Sequence, residues 1–357
     1  MDPAMKRLPT ASLSIDVDNR WAYLRAAGRS DWQSATSYLP MVLDRVVDVL
    51  GAAGVPLTAF LVGRDLVDDG DVRVIESLGR LPAWEAANHS LSHLPWMHTM
   101  SREEICEEIR VTHDRIVACF GRRPRGFRGP GFSCPPELLQ VLAESGYEYD
   151  ASIFPTSMAP IARAVFLART RLKGADRERA KKLYGGFAAM RQPNAPFRRT
   201  VDSCEKTLWE IPVTVMPGLR TPIHFSYLTF LASYNVPLAK GYFRSALATC
   251  RRFNVPPSLL LHPPDFLGAE DRSDLGHLPG MKMRRDHKLK FVAWALELLA
   301  EQFQVLTIAD QIDQLNGPTA GRGLPSASVE ESAPASESGE PVPAAVRLAW
   351  TAGVSDA

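Results

Sequence analysis

The sequence predicts an α/β fold in which a parallel sheet, open or closed into a barrel, is covered by helices. Short apolar segments alternate with stretches of helical spacing between residues 11 and 308. That alternation is typical of parallel sheets. Hydrophobic residues make up 45% of the 357 residues and charged residues 23%, so the composition is that of an ordinary globular protein with a sizeable core.

The first strand is predicted at residues 11–17, ASLSIDV, an apolar run that ends in acids. Further strands are predicted at 56–62, 82–87, 125–128, 147–150, 208–214, 257–262 and 304–308. Helices are predicted, from apolar residues recurring every three or four positions, at 38–53, 65–79, 101–120, 135–145, 237–253 and 286–302. Ser101 and Glu104 form a capping box that marks one helix start.

Four segments are predicted. Residues 1–10 form an N-terminal arm, and residues 11–316 form the catalytic domain. Residues 157–200 interrupt the alternation as a basic, helical insertion within that domain. Residues 317–357 are rich in Gly, Pro, Ser, Ala and Glu and predict a disordered tail, because such a composition cannot build a packed core.

Charge and hydropathy exclude several classes of protein. The net charge is +1, and the basic stretch 163–182 has neither interleaved aromatics nor a recognisable motif, which argues against a nucleic-acid binder. No stretch reaches the roughly 18 apolar residues of a membrane span. The first residues lack the apolar segment of a secretory signal, and the five cysteines include no CxxC pair, so we expect a reduced, cytoplasmic location.

Two acids and two histidines are candidate metal ligands. His89 and His93 stand four residues apart, a spacing at which two imidazoles can reach one ion. Asp16 and Asp18 end the first predicted strand and point to the same side of it. A carboxylate is a natural third ligand beside two histidines and leaves positions open for water and substrate.

Two further strand ends carry polar residues. Arg128 and Pro130 lie in the segment GFRGPGF at residues 126–132, where glycines permit close backbone approach and the arginine can orient a carboxylate. His262 ends the apolar strand LLLH, a place suited to proton transfer near neutral pH. Taken alone, these residues could equally form a turn and a structural histidine.

Five segments in chain order, SIDVD, NHSLSH, FRGPGF, YDAS and LLLHP, resemble the polysaccharide deacetylase family, also called the NodB-homology or carbohydrate esterase 4 family. The resemblance covers residues 11–315 and implies a distorted (β/α) barrel of about seven strands. It implies that Asp18, His89 and His93 hold a metal ion. It also implies that Asp16, oriented by Arg128, is the general base and that His262 is the general acid.

The sequence departs from the family pattern in three places. The stretch before the histidines, Trp84–Ala87, lacks the glycines usual there. One residue separates the two acids of the first motif, which are adjacent in the common form, and the usual Asp-Trp fourth motif is not clearly present. Glu210 stands near the place of that motif and could tune His262 or be a strand-end acid. Asp150 is the better candidate for a supporting group, and Asn19 and Pro130 are further candidates for supporting or substrate-contacting residues.

The predicted function is therefore hydrolytic removal of an acyl group from an N-acyl amino sugar, with one divalent ion. Zinc is the first choice, with cobalt, nickel and manganese as alternatives. The basic insertion beside Ile161 and Val165 predicts peripheral membrane contact and a lipid-linked substrate, or else a solvated lid over the cleft.

Other readings stay open. An aromatic run is predicted to line an acyl or sugar groove, or to pack in the core: Phe225, Tyr227, Phe230, Leu231 and Tyr234. Two alternative functions are a metal-independent amidohydrolase or deformylase of the same superfamily and an inactive carbohydrate-binding protein.

Overall fold

The computed structural model describes residues 8–170, 172–180, 190–201 and 206–317. Within these ranges the strands are β1 (Thr10–Val17), β2 (Leu57–Leu61), β3 (Trp84–Asn88), β4 (Gly126–Phe127), β5 (Tyr149–Asp150), β6 (Phe197–Val201), β7 (Lys206–Glu210), β8 (Ser258–Leu261) and β9 (Gln304–Leu306). The α-helices are α1 (Arg20–Ala26), α2 (Leu39–Ala53), α3 (Asp69–Glu76), α4 (Arg102–Phe120), α5 (Pro136–Glu144), α6 (Ala159–Arg169), α7 (Gly174–Ala180), α8 (Phe225–Tyr234), α9 (Val236–Arg252), α10 (Arg285–Gln302) and α11 (Ile308–Asn316). Single 3₁₀ turns lie at Ser30–Ser34, Gly63–Val67, Ser77–Arg80, Met97–Thr99, Pro130–Phe132, Pro263–Phe266 and Ser273–Leu275.

The strands form one curved sheet in the order β6-β7-β5-β4-β3-β2-β1-β8, and β9 pairs with β1. Every pair is parallel except β6 with β7. Beyond β7, the amide of Val213 donates to the carbonyl of Ile153 (2.8 Å), and that of Thr214 donates to Ser258 (3.0 Å). The chain after β7 therefore links the β5 side of the sheet to β8, and the fold is the predicted α/β class with a barrel-like circuit of seven parallel strands.

The main core lies between the sheet and its helices. Leu39, Val42, Val46 and Leu50 repeat every three or four residues along α2 and are fully buried. This stripe packs against residues of β1 and β2 in the largest hydrophobic cluster. The α2 helix ends because Gly54 adopts φ +63°, a left-handed conformation that glycine reaches without a steric cost.

The sequence analysis missed several elements. Helix α8 was read only as an aromatic run, since FSYLTFLASY carries apolar residues all round and shows no one-sided stripe. The insertion is helical at α6 and α7, but it ends in strand β6, which sequence reasoning did not separate. From residue 318 the predicted tail lies outside the described residues, as do 181–189 of the insertion.

No helix among the described residues is long and apolar enough to cross a membrane. The four described cysteines, Cys106, Cys119, Cys134 and Cys250, are free thiols.

Candidate metal centre and acid–base pair

The candidate residues meet at one end of the sheet. Asp16 and Asp18 lie at the end of β1, His89 directly follows β3, Arg128 follows β4, and His262 follows β8. Carboxyl ends of neighbouring parallel strands open to the same side, which is where (β/α) barrels place their sites. Residues up to 246 positions apart are therefore brought together by strand order alone.

Two histidines are held by the loop after β3. The carbonyl of Arg128 lies 2.6 Å from His89 Nδ1, so Nδ1 carries the proton and Nε2 is left with its lone pair. His93 has φ +50°, and its amide donates to the Ser90 hydroxyl (3.1 Å). Arg25 donates to the carbonyl of His93 (3.2 Å) and steadies this strained turn.

Asp18, His89 and His93 fit a divalent ion. Their ligand atoms all lie within 4.8 Å of one another, with Asp18 Oδ1 3.4 Å from His89 Nε2 and 3.0 Å from His93 Nε2. Asp18 Oδ1 is buried and makes no hydrogen bond to any described residue. A buried, unsatisfied carboxylate oxygen facing two imidazole nitrogens is costly without a cation, so the donor set suits a zinc-like ion with open positions.

Neighbouring charges shift the pKa values of Asp18 and His89. Burial raises the pKa of the Asp18 carboxyl, but the imidazoles of His93 and His89 outweigh it and hold that pKa well below its usual value. Burial lowers the pKa of His89, yet the carboxylates of Asp16 and Asp18 outweigh burial and raise it. The pocket therefore favours a negative carboxylate at Asp18 and positive charge beside it at His89, a charge pattern that a bound cation would satisfy.

Asp16 is fixed on one oxygen and open on the other. Arg128 is fully buried, and its Nη1 atom lies 2.7 Å from Asp16 Oδ1 and 3.0 Å from the Ser14 hydroxyl. The Arg128 guanidinium also donates to the carbonyl of Ala151 (2.9 Å) and stacks over Phe60 at 4.1 Å. Asp16 Oδ2 is left facing His89 Nε2 at 3.8 Å and His262 Nε2 at 3.7 Å.

His262 lies across the site from the metal triad and is one-fifth exposed. Its Nδ1 atom lies 3.1 Å from the Ser226 hydroxyl on α8. The same hydroxyl lies 3.1 Å from Asp265 Oδ2, which also accepts the backbone amide of His262 at 2.8 Å. Sequence reasoning missed Ser226 and Asp265, although the acid three residues after His262 was visible in HPPD.

The supporting acids proposed from the sequence lie elsewhere. Glu210 accepts the amide of Ile153 (3.1 Å) and pairs with Arg199 of β6 (3.2 Å), and none of its described hydrogen bonds reaches His262. Burial, then the neighbouring Asp150, raise the pKa of Glu210 well above its usual value. Asp150 accepts the Ser152 hydroxyl (2.6 Å), and that hydroxyl accepts the amide of Gly129 (2.7 Å), so Asp150 supports the Arg128 loop.

Asn19 and Pro130 contribute to local structure. Asn19 caps α1 through Arg20 N (2.8 Å) and donates to Asp65 Oδ1 (3.1 Å). Pro130 is buried at the start of a 3₁₀ turn. Of the aromatic run, Phe225 is fully buried and Tyr234 is 76% exposed. Core packing therefore holds for Phe225, and Leu231 is partly buried against the same core.

Two buried side chains near the loop that carries His89 and His93 were not identified from the sequence. Burial raises the pKa of Asp65 to about 7, and its Oδ1 atom accepts Trp21 Nε1 at 2.8 Å; the Trp21 ring meets His93 edge-on. Burial, then the charge of Asp18, raise the pKa of Tyr23 well above its usual value. The Tyr23 hydroxyl is buried without a hydrogen-bond partner among the described residues, so it remains a protonated donor.

Comparison with known proteins found a matching family model and solved structures of similar fold. Residues 35–149 match the family model described as polysaccharide deacetylase. A candidate polysaccharide deacetylase from Mycobacterium smegmatis is 17% identical, with 87% of this chain and 92% of that chain covered and a TM-score of 0.54. One from Pseudomonas aeruginosa PAO1 is 14% identical, with 86% and 90% covered and a TM-score of 0.53. No curated protein sequence matches this chain.

At these identities the two structures show a shared fold. The family match covers His89, His93 and Arg128, whereas Asp16, Asp18 and His262 lie outside it. The predicted resemblance is confirmed for residues 35–149, which match the family model, and the two structures confirm the α/β fold.

Proposed function

We propose that this chain belongs to the polysaccharide deacetylase family of amide-cleaving hydrolases and removes the acyl group from an N-acyl amino sugar in a metal-dependent reaction. The observation that carries the proposal is the convergence of Asp18, His89 and His93 on one point. Asp16 and His262 flank that point with Oδ2 and Nε2 3.7 Å apart. One ligand set and two proton-transfer groups are what hydrolysis of an amide requires.

Asp18, His89 and His93 would hold the ion, zinc as the first choice, with cobalt, nickel or manganese able to bind the same ligands. When bound, a divalent ion polarises the acyl carbonyl and makes water more acidic. Asp16 then has a single free acceptor, Oδ2, because Arg128 occupies Oδ1. As the water oxygen bonds to the carbonyl carbon, Asp16 Oδ2 takes the water proton.

His262 completes the reaction on the opposite side. Its Nε2 atom faces the cleft, since Nδ1 is engaged by Ser226. When the C–N bond breaks, Nε2–H supplies the proton that the leaving amine needs. The products are a free amino sugar and a carboxylic acid, and each proton-transfer partner is worth about 10²–10⁴ in rate.

The test pairs metal content with amine release. Purified protein is analysed for bound metal and assayed on N-acetylated sugar oligomers before and after chelation. We expect about one ion per chain, activity lost with the chelator, and recovery when metal is added back. Activity that ignores chelation would replace this proposal with the metal-independent amidohydrolase, and metal binding without turnover would favour an inactive carbohydrate-binding protein.

Two variants distinguish the metal-binding role of Asp18 from the proton-accepting role of Asp16. Asp18→Ala should lose both metal and activity, whereas Asp16→Asn should keep the metal and lose about 10²–10⁴ of kcat. The control is Asp48→Asn, the same change at an exposed position on α2. Near-normal turnover by Asp16→Asn would remove Asp16 from the base role.

The carrier of the sugar is a finer part of the proposal. Ile161 and Val165 on α6 are 58% and 43% exposed. The Ser157 hydroxyl, next to this helix, donates to the carbonyl of Leu219 (3.1 Å), and Leu219 is itself 66% exposed. Exposed apolar side chains within the basic insertion support a lipid-linked substrate at an anionic membrane surface. A cytoplasmic location is part of the same proposal.

Vesicle sedimentation tests this part separately. Phosphatidylglycerol vesicles should retain the chain better than phosphatidylcholine vesicles, and the double change Ile161→Ser and Val165→Ser should release it. Val67→Ser, at a 66% exposed residue on a different turn, is the control. Equal retention of all three proteins would leave the insertion as a lid over the cleft.

A further inference from the structure

The acid that would support a catalytic histidine in the fourth family motif is not clearly present in this sequence, and Glu210 does not take its place. The side chains that do contact His262 are Ser226 on α8 and Asp265 in the turn after β8. We propose that Ser226 and Asp265 act as positioning residues that hold His262 in one tautomer and direct its Nε2 atom towards Asp16. This inference rests on the proposed function, in which His262 donates a proton.

The direction of the hydrogen bonds follows from counting donors. The backbone amide of His262 donates to Asp265 Oδ2 at 2.8 Å, and the hydroxyls of Ser226 and Thr229 lie 3.1 and 3.2 Å from its two oxygens. Burial raises the pKa of Asp265, while His262, Lys288 and the hydrogen bond from Ser226 act against that rise. As a carboxylate, Asp265 can only accept from the His262 amide and the Ser226 hydroxyl. The single proton of the Ser226 hydroxyl therefore goes to Asp265.

Because the Ser226 hydroxyl donates its proton to Asp265, its oxygen can only accept a hydrogen bond from His262. The 3.1 Å contact between Ser226 Oγ and His262 Nδ1 is then an Nδ1–H donation. In the neutral imidazole this leaves Nε2 unprotonated and directed at Asp16, 3.7 Å away.

The surroundings of Asp265 keep this arrangement rigid. Asp265 is 1% exposed, and the buried ammonium of Lys288 on α10 donates to the carbonyl of the adjacent Pro264 (2.9 Å). Lys288 is completely buried, so its charge acts on Asp265 with little screening by water. The turn that carries Asp265 is thus tied to α10, while Ser226 is carried by α8.

Asp265, Ser226 and His262 form a hydrogen-bonded relay. Its charge, on Asp265, and its hydrogen-bond geometry, at Ser226, can be altered by separate substitutions. Asp265→Asn keeps the shape, because its amide oxygen can still accept at Oδ2 while its NH₂ group faces the Thr229 hydroxyl. Ser226→Ala breaks the link to His262, and Ser226→Thr keeps the hydroxyl. Ser233→Ala is the matched control on α8, since its hydroxyl donates only to the carbonyl of Phe230 one turn below.

The deciding measurement is the nitrogen NMR spectrum of the full chain labelled in its histidines, with His262 assigned by a His262→Gln variant. At a pH where the ring is neutral, we expect the Nδ1–H tautomer in the natural protein, in Ser226→Thr and in Ser233→Ala. Ser226→Ala should move the ring towards the Nε2–H form. An Nε2–H ring in the natural protein, or the same spectrum in Ser226→Ala, would overturn the relay.

Kinetics provide a second readout. Asp265→Asn and Ser226→Ala should each lower kcat by about 10² with KM within about twofold, because the change affects proton donation rather than binding. An unchanged kcat in both would overturn the role in catalysis. The NMR result needs neither metal nor substrate, so a chain that binds no metal and releases no amine would refute the proposed function while leaving the tautomer result to stand or fall by itself.

Discussion

Asp65→Asn is the substitution whose effect can be worked out most fully from the structure. Asp65 is 6% exposed, and its Oδ2 atom is buried without a partner among the described residues. Burial raises its pKa to about 7, and the hydrogen bonds from Trp21 and Asn19 only partly offset this. In the unfolded chain the pKa of an aspartate is about 3.9.

The sign and size of the effect follow from these two values. The fold holds the Asp65 proton more tightly than the unfolded chain does, so the associated stability is fully present below pH about 4 and is lost as the pH rises through about 7. Three pKa units correspond to a loss on the order of 4 kcal/mol. Asparagine has no such titration and keeps the oxygen that accepts from Trp21 and Asn19.

Urea unfolding of the natural protein and of Asp65→Asn, at pH values from 4 to 8.5, measures this difference directly. We expect the stability of the natural protein relative to the variant to fall by on the order of 4 kcal/mol across that range, with most of the fall below pH 7. Other titrating groups are common to both proteins and cancel. A relative change below about 1 kcal/mol would refute the argument from burial.

Asp68→Asn is the control for this series. Asp68 is exposed and caps α3 by accepting the amides of Gly70 and Asp71. Asparagine caps a helix about as well as aspartate, so the substitution should change stability by no more than about 0.5 kcal/mol at each pH.

Three further substitutions test the site and the sheet. Arg128→Lys should keep bound metal but lower kcat by about 10² or more, because a lysine cannot hold Asp16 while satisfying the other acceptors of the guanidinium; full activity would contradict the orienting role. Glu210→Gln should leave kcat within about threefold, since its described partners do not include His262; a hundredfold loss would restore its link to catalysis. Gly126→Ala would place a Cβ atom 1.8 Å from the ring of the tyrosine that begins β5, so we expect at least about 1–3 kcal/mol of destabilisation in urea, and an unchanged midpoint would show that β4 and β5 can separate at no cost.

Much of the fold could be predicted from local sequence patterns. The strands and helices around β1, α2 and α4 have one-sided or continuous apolar sequences, and the structure places them within a few residues of the predicted bounds. Helix α8 escaped prediction because its burial is decided by neighbours on two sides, α9 and α10. Strand β6 escaped because a short, basic edge strand has little apolar signal of its own.

The sequence by itself predicted the set of candidate reacting groups: two acids after the first strand, two histidines four apart, an arginine among glycines and a histidine after an apolar strand. These signals are local, and their order along the chain predicted the resemblance to the polysaccharide deacetylase family. Only the tertiary structure decided which groups support them. Ser226 reaches His262 across 36 positions and Asp265 reaches Ser226 across 39, because the packing of α8 against the turn after β8 creates contacts that no spacing in the sequence encodes.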